Sequence, residues 1–306
     1  MNETDGPASA RAVLHRHGRT FAFASRVLDR RHAERAATLY AFCRHVDDLA
    51  DEARDVDDAR RALAALRDAL QAGVADDPTV RAFLALRRDT ALPIAPALAL
   101  VDGVTSDLGL VRLDSEASLV RYAWQVAGTV GVMMCAVLDV HDPRARPFAI
   151  DLGIAMQLTN IARDVGADAA LGRRYLPAAW VGPLEPAAIA APDAATQRVL
   201  ADGTRRALAL AERYYRSGEA GLGFLPWRAR LAILAAARMY RAIGARIAAA
   251  GYRSWDRRAA LGPAEKGLHA AGALGVFLCQ PRVHRRDAVH DGRLQHALYT
   301  GEATHG

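Results

Sequence analysis

The stretch LYAFCRHVDDLADE, residues 39–52, predicts a helix with an acidic stripe on an otherwise apolar surface. Residues three or four apart share one face of an α-helix. That face carries Tyr40, Arg44, Asp47 and Asp51. Like charges four residues apart destabilise a helix by about 0.2–0.5 kcal/mol in water, and by more when they are buried. Arg44 can balance one carboxylate, and a divalent cation can balance the others.

A second stretch, QLTNIARDVGADAALGRRYLP at residues 157–177, repeats the arrangement. Its polar face carries Gln157, Asn160, Asp164 and Asp168, at steps of three, four and four. Carboxylate and amide oxygens are hard ligands of the kind that Mg²⁺ binds together with water and substrate phosphate. A single acidic stripe is most often a solvated surface. Two D-x-x-x-D stripes, each shortly after an arginine, favour a pair of facing helices that hold Mg²⁺ and bind a diphosphate.

The rest of the chain also favours helices. Apolar residues recur at spacings of three and four, Pro or Gly separates the segments, and no segment alternates strands with helices. This pattern predicts an all-α protein, and 306 residues can bury one large core or two modest ones. The predicted helices lie near 7–17, 31–53, 57–72, 78–89, 95–109, 115–138, 144–170, 196–219, 227–250 and 263–279.

Composition and charge exclude several classes of protein. Hydrophobic residues make up 52% of the chain, which excludes a disordered protein. The net charge is +6, and the arginines are scattered along the chain, which argues against a nucleic-acid-binding protein. The positive charge is compatible with anionic substrates or with an anionic membrane surface. No apolar stretch reaches the roughly 18–20 residues that span a bilayer, and the N-terminus lacks the apolar core of a signal peptide. We therefore predict a cytoplasmic location, with peripheral contact to the inner face of the cell membrane as an option.

Both acidic stretches resemble the signature blocks of the squalene/phytoene synthase family, the head-to-head prenyl transferases. The resemblance extends in the same order from about residue 14 to about residue 270. Further similar segments are HGRTFAFASRVL (17–28), DGVTSDL (102–108), RYAWQVAGTVGVMM (121–134), AGLGFLPWRARLAILAAARMYRAIG (220–244) and GYRSWDRR (251–258). The resemblance implies a single-domain, all-α isoprenoid-synthase bundle over residues 1–280, with a central active-site cavity. We expect residues 281–306 to form a poorly ordered tail.

The resemblance also implies roles for individual residues. The residues implied to bind Mg²⁺, or Mn²⁺ as an alternative, are Asp47, Asp51, Asn160, Asp164 and Asp168. The four aspartates, with Arg44 and Arg163, form the implied catalytic set. Those implied to contact substrate are His17, Gly18, Arg19 and Thr20, which match a diphosphate-binding block, and Tyr40, Arg44, Gln157, Arg163 and Tyr240. The chain departs from the family where Ser is frequent, at Gly18 and Thr20, and where Tyr is usual, at Trp124.

The implied reaction is Mg²⁺-dependent condensation of two geranylgeranyl diphosphates, through prephytoene diphosphate, to phytoene in carotenoid biosynthesis. No NADPH is expected, because that reaction ends in proton loss. One alternative is squalene or dehydrosqualene synthesis from farnesyl diphosphate. Another is a catalytically silent family member that acts as an assembly subunit, against which the complete set of aspartates argues. The implied partners are prenyl diphosphates, the membrane surface and other enzymes of the carotenoid pathway, and no nucleic acid.

Chain length depends on the residues after the diphosphate-binding block. Ala22, Ala24 and Ser25 are all small, whereas family members that use the fifteen-carbon substrate can have a bulky aromatic residue near the position of Ser25. Small residues leave room for a further isoprene unit. We therefore expect the twenty-carbon substrate.

Overall fold

The computed structural model describes residues 7–17 and 19–299, and leaves the side chains of residues 7–9, 15, 17, 19 and 20 undescribed. Those two ranges contain α-helices, short 3₁₀ turns and one π-helical turn, and no β-strand. The α-helices are α1 (Pro7–His17), α2 (Arg19–Ala24), α3 (Arg30–Asp51), α4 (Val56–Ala72), α5 (Pro78–Thr90), α6 (Ala95–Ser106), α7 (Glu116–Ala123), α8 (Thr129–Val137), α9 (Ala145–Arg163), α10 (Val165–Ala170), α11 (Ala178–Val181), α12 (Pro186–Ala190), α13 (Ala194–Ala220), α14 (Trp227–Ala249), α15 (Pro263–Cys279) and α16 (His296–Tyr299). No helix in the two ranges is both long and apolar enough to cross a membrane.

The all-α class predicted from the sequence is confirmed. Two predicted helices are interrupted. The segment predicted at 115–138 contains the π-helical turn Trp124–Gly128, and the segment predicted at 144–170 breaks at Asp164, whose φ of −104° and ψ of 15° end α9 before α10 begins. The π-helical turn lies where backbones almost touch, because a Cβ on Gly153 would stand 2.3 Å from the carbonyl oxygen of Ala127.

Aspartate side chains cap helices α3 and α13 at their N-termini. Asp29 accepts a hydrogen bond from the backbone N–H of His32 at the start of α3, and Asp193 accepts one from the N–H of Thr196 at the start of α13. Such a cap satisfies one of the N–H groups that the first helical turn leaves unpaired. The sequence periodicity and these caps together explain why the predicted helix bounds lie close to the observed ones.

Two apolar clusters hold α3 and α9 in place. Phe42 of α3 stacks on Phe83 of α5 with ring centroids 3.7 Å apart. Helix α9 packs against α8, α13 and α14, and its Ile154 and Leu158 are fully buried. Because the apolar faces of both helices are anchored in this way, their polar faces are free to line a cavity.

Residues 281–299 lie against the helical core. Gln295 is buried and donates a hydrogen bond of 2.8 Å to the fully buried carboxylate of Asp151. His290 Nε2 lies 2.8 Å from the same carboxylate, and the hydroxyl of Tyr214 donates to the carbonyl oxygen of Leu294 at 2.6 Å. The division into a domain ending at residue 280 and a tail stays a prediction.

Candidate active site

A polar cavity of about 290 Å³ opens between α3, the end of α6, α9, α10 and the loop after α10. Both acidic stripes predicted from the sequence line it. The polar residues of its wall are Asp47, Asp51, Asp107, Tyr122, Gln157, Asn160, Arg163, Asp164, Asp168, Arg173 and Tyr175. The structure therefore brings together seven of the residues singled out from the two stretches, namely Asp47, Asp51, Gln157, Asn160, Arg163, Asp164 and Asp168.

Two carboxylates of the cavity are unfavourable as anions. Burial is the main reason why the pKa of Asp47 rises from 3.8 to about 7. The positive charge of Arg44 lowers this pKa, and the nearby carboxylate of Asp51 raises it. Burial likewise raises the pKa of Asp168 to about 7, with Asp164 as the next contribution. One carboxylate from each stripe thus lacks a sufficient positive neighbour. A bound cation would supply that charge.

Asp164 has the opposite environment. Burial raises its pKa, but hydrogen bonds from Arg163 and Arg258 outweigh burial and hold the pKa below the ordinary value. Arg163 Nε donates to Asp164 Oδ1 at 2.9 Å, and Arg258 Nε donates to the same oxygen at 2.7 Å. The Arg163 side chain is mostly buried, whereas that of Arg258 is 66% exposed. Arg258 can therefore leave the carboxylate for a ligand more easily than Arg163.

Asn160 supplies an oxygen without a partner. Its Nδ2 donates to Gln157 Oε1 at 3.2 Å, while its Oδ1 is buried and makes no hydrogen bond. A buried acceptor left unpaired costs roughly 1–3 kcal/mol, so a cation or donor at this position would be favourable. Within the described ranges, no three His, Cys, Asp or Glu side chains come close enough to hold an ion by themselves. An ion here would need diphosphate or water oxygens as well, which is how Mg²⁺ usually binds.

The sequence did not single out the fifth acid of the cavity wall, Asp107. The hydroxyls of Tyr122 and Tyr175 donate to its two oxygens at 2.7 and 2.8 Å. Burial raises the pKa of Asp107, and these two hydrogen bonds partly oppose the increase. Asp107 belongs to the segment DGVTSDL, but a lone acid has no spacing that marks it. Arg173, in the loop after α10, lies beside Asp51 and Asp107.

Three predicted residues lie away from the cavity wall. Arg44 forms an ion pair with Asp48, one turn further along α3. The rings of Tyr40 and Tyr240 flank Phe21, with centroids 6.3 and 5.6 Å from its centroid. Burial raises the pKa of Tyr40 to about 12, so its hydroxyl stays protonated. These tyrosines face an apolar region next to the acidic cavity.

The predicted diphosphate-binding block falls largely outside the described residues. Gly18 lies outside the described residues, and so do the side chains of His17, Arg19 and Thr20. Their assigned contacts stay predictions. Trp124, the other departure from the family pattern, begins the π-helical turn and is partly buried in the main core.

The chain matches known proteins over most of its length. The sequence model of the family described as squalene/phytoene synthase matches residues 14–265. A phytoene synthase from Pseudescherichia vulneris is 39% identical over 266 residues, which cover 81% of this chain and 84% of that protein. A 15-cis-phytoene synthase from Pantoea ananas is 36% identical over 291 residues, which cover 89% and 92% of the two chains.

Solved structures of other proteins have a similar fold. A dehydrosqualene synthase in complex with a ligand is similar with a TM-score of 0.77 and 25% identity, covering 90% of this chain and 97% of that chain. A squalene synthase from Alicyclobacillus acidocaldarius is similar with a TM-score of 0.68 and 26% identity, covering 80% and 94%. Both are helical isoprenoid-synthase folds.

Proposed function

Because the chain belongs to the squalene/phytoene synthase family, we propose that it condenses two geranylgeranyl diphosphates head to head to form phytoene. The protein is an enzyme of the prenyltransferase type, and its relatives support phytoene synthesis in carotenoid biosynthesis. The observation that carries the proposal is the meeting of two D-x-x-x-D stripes, from α3 and from α9–α10, at one cavity.

The cavity has a ligand set suited to Mg²⁺. Members of this family use prenyl diphosphates and are generally metal-dependent. The residues proposed to hold Mg²⁺, or Mn²⁺ in its place, are Asp47, Asp51, Asn160, Asp164 and Asp168. When bound, the metal neutralises the diphosphate and makes it a better leaving group. The unpaired Asn160 oxygen and the raised pKa values of Asp47 and Asp168 support this assignment.

Arginines of the cavity are proposed to bind the departing diphosphate. Arg163 and Arg173 line the wall, and Arg258 reaches Asp164 from the exposed side. Guanidinium groups bind phosphate oxygens in pairs, which stabilises the charge that develops as the carbon–oxygen bond breaks. On substrate binding, Arg258 would exchange the Asp164 carboxylate for the diphosphate. That exchange would free Asp164 to become a metal ligand.

The hydrocarbon chains are proposed to occupy the neighbouring apolar region. Phe21 and Phe23 pack there with Met156, Leu234 and Met239. Phe21 lies between Tyr40 and Tyr240, and aromatic ring faces attract cations while apolar walls exclude water. Exclusion of water is essential, because a carbocation would otherwise be hydrolysed.

The proposed reaction proceeds in two ionisations. The first substrate loses diphosphate, the double bond of the second attacks the allylic carbocation, and proton loss closes the cyclopropane of prephytoene diphosphate. The second diphosphate then leaves, the cation rearranges, and loss of a second proton gives phytoene. No hydride is added at any step, so no NADPH is required.

A second candidate is dehydrosqualene or squalene synthesis from farnesyl diphosphate, which the similarity to a solved dehydrosqualene synthase favours. Purified protein given Mg²⁺ and each diphosphate in turn, with mass analysis of the hydrocarbon, separates the two. A forty-carbon product that forms without NADPH supports phytoene synthesis. A thirty-carbon product, or dependence on NADPH, supports the second candidate.

We also propose that the enzyme works in reversible contact with the cytoplasmic membrane and with other enzymes of the carotenoid pathway. The substrates are amphipathic and the product is apolar, so both partition into bilayers.

A further inference from the structure

Helix α15 (Pro263–Cys279) exposes an unusually apolar surface. Of its 17 residues, only Ala273 is buried. At 3.6 residues per turn, the exposed residues after its first turn fall on one arc of about 140°. The residues of this arc are Leu268, Ala271, Leu274, Gly275, Leu278 and Cys279, and all six are exposed. Leu268 and Leu278 are each 71% exposed, and no residue of the arc carries a charge. We call these six residues the α15 arc.

The charges around the α15 arc are one-sided. Glu265 is the only acid of the helix, and it is occupied by the backbone N–H of Gly262 and by Arg246. At the other end, Arg228, Arg282 and Arg285 are exposed, and none of them has an ion pair within the described ranges. Asp287 is the one acid of residues 280–287, so the exposed side chains at this end carry a net positive charge.

Hydrogen bonds of His284 join the segments that carry these arginines. His284 Nε2 lies 2.7 Å from the carbonyl oxygen of Phe277 in α15, and His284 Nδ1 lies 2.7 Å from Arg230 Nη1 in α14. The start of α14 therefore lies beside the end of α15. Trp227, the first residue of α14, is 58% exposed there. Its ring stacks under the Arg228 guanidinium, 5.0 Å from the ring centroid.

The inner side of α15 covers the apolar region assigned to the hydrocarbon chains. Ala273, Val276 and Phe277 pack in one cluster with Phe21 and Phe23 of α2. The same cluster includes Leu234, Ala235 and Met239 of α14. A single helix thus separates the proposed chain-binding region from the α15 arc.

We propose that the α15 arc is a membrane-docking surface. Its leucines and Trp227 enter the interface of the bilayer, and Arg228, Arg282 and Arg285 bind anionic lipid headgroups. Exposed apolar patches of this kind mark interaction sites, and a helix with one apolar face and basic neighbours lies in the plane of a membrane interface. A second copy of this chain carries the same charge of +6 and fits the arginines less well than an anionic surface. The inference rests on the proposed function in that an apolar product needs a bilayer to receive it.

Vesicle binding by charge-insertion variants tests the proposal. Leu268→Glu/Leu278→Glu places two acids on the α15 arc, and Val56→Glu/Val74→Glu places two acids at exposed apolar positions at the ends of α4. Sedimentation with vesicles of phosphatidylglycerol and phosphatidylcholine should show at least about tenfold weaker binding for the α15 variant, because its leucines no longer enter the interface. The α4 variant should bind like the unmodified protein. Arg282→Gln/Arg285→Gln should weaken binding by about fivefold per arginine, and only to the anionic vesicles.

A fluorescent label gives a readout that needs no variant. Cys279 is the one exposed free cysteine within the described ranges. An environment-sensitive dye on Cys279 should shift to shorter emission wavelength when anionic vesicles are added. No shift, absence of vesicle binding by the unmodified protein, or equal binding by both double-glutamate variants would overturn the proposal. A concentration-dependent dimer that only the α15 variant loses, without lipid binding, would make the arc an interface between copies.

Vesicle binding needs no substrate, so it can be judged apart from the proposed function. Turnover of detergent-dispersed substrate by the same variants should match that of the unmodified protein. Vesicle binding without any turnover would refute the synthase and leave the docking surface standing. Turnover without vesicle binding would refute the docking surface and leave the synthase activity standing.

Discussion

Replacing Asp47 with Asn should stabilise the metal-free protein above neutral pH while abolishing its activity. The folded protein holds the pKa of Asp47 at about 7, mainly through burial, whereas the ordinary value is 3.8. Between these two values the unfolded chain has lost a proton that the folded chain keeps. The stability of the unmodified protein therefore falls as pH rises from about 4 to about 7 and stays low above 7. Asn cannot ionise and escapes this loss.

The size of the effect follows from the pKa shift. About three pKa units correspond to at most about 4 kcal/mol. Water entering the open cavity screens part of this, so we expect Asp47→Asn to be more stable by about 1–3 kcal/mol at pH 8. For a chain of this length, that raises the melting temperature by about 2–5 °C. Near pH 4 the gain should be small, because the folded aspartate is protonated and the unfolded one is only about half ionised, and it should vanish below about pH 3, where both states are protonated.

Thermal unfolding in EDTA, followed by circular dichroism at pH 4, 6 and 8, measures this directly. Asp48→Asn is the matched control: it removes the same charge one residue away, but Asp48 pairs with Arg44, so no gain is expected. Added Mg²⁺ should stabilise the unmodified protein at pH 8 and leave Asp47→Asn almost unchanged. A loss of stability in Asp47→Asn at pH 8, or a gain independent of pH, would show that the cavity does not raise the pKa of this carboxyl group.

Four further outcomes are expected. Asp164→Ala should remove nearly all turnover at saturating Mg²⁺, because it deletes a proposed metal ligand; near-full activity would exclude Asp164 from the ligand set. Asn160→Ala should raise the Mg²⁺ concentration needed for half-maximal activity by about tenfold or more. Asn160→Asp keeps an oxygen at this position and should raise that concentration less. Equal effects of the two variants would mean that the unpaired Oδ1 is not a ligand. Arg258→Gln should lower kcat by about tenfold or more, because a group that binds the departing diphosphate is lost. Folding should stay intact, since the Arg258 side chain is 66% exposed. Unchanged kinetics would refute the proposal that Arg258 moves from Asp164 to the diphosphate. Ser25→Phe should depress turnover of the twenty-carbon substrate more than of the fifteen-carbon one, since overpacking an enclosed site costs about 1–3 kcal/mol; an equal loss would mean that another wall sets chain length.

The helices and the two acidic stripes could be predicted because both depend on local spacing. Residues 39–52 and 157–177 each carry their pattern within one helix, so their shared faces follow from 3.6 residues per turn. That the two faces meet at one cavity follows from how α3 and α9 bury their apolar sides. Capping aspartates such as Asp29 and Asp193 are also local signals, which is why most helix bounds agree.

The rest of the site depends on contacts that are distant in sequence. Arg258 lies 94 residues from Asp164, and Tyr175 lies 68 residues from Asp107, so no periodicity links either pair. The pairing of Arg44 with Asp48 shows the same limit at short range. Spacing alone allowed Arg44 to balance any of several carboxylates, and its geometry selected Asp48. The π-helical turn at Trp124–Gly128 arises from close helix packing and has no distinct local pattern.

Incubation of the purified protein with geranylgeranyl diphosphate and Mg²⁺, without NADPH, tests the central claim most directly. Mass analysis of the extracted hydrocarbon should show phytoene, with two diphosphates released per molecule, and Asp47→Asn in parallel should give none. Failure of the unmodified protein to form any forty-carbon hydrocarbon, while farnesyl diphosphate gives a thirty-carbon one, would contradict the account.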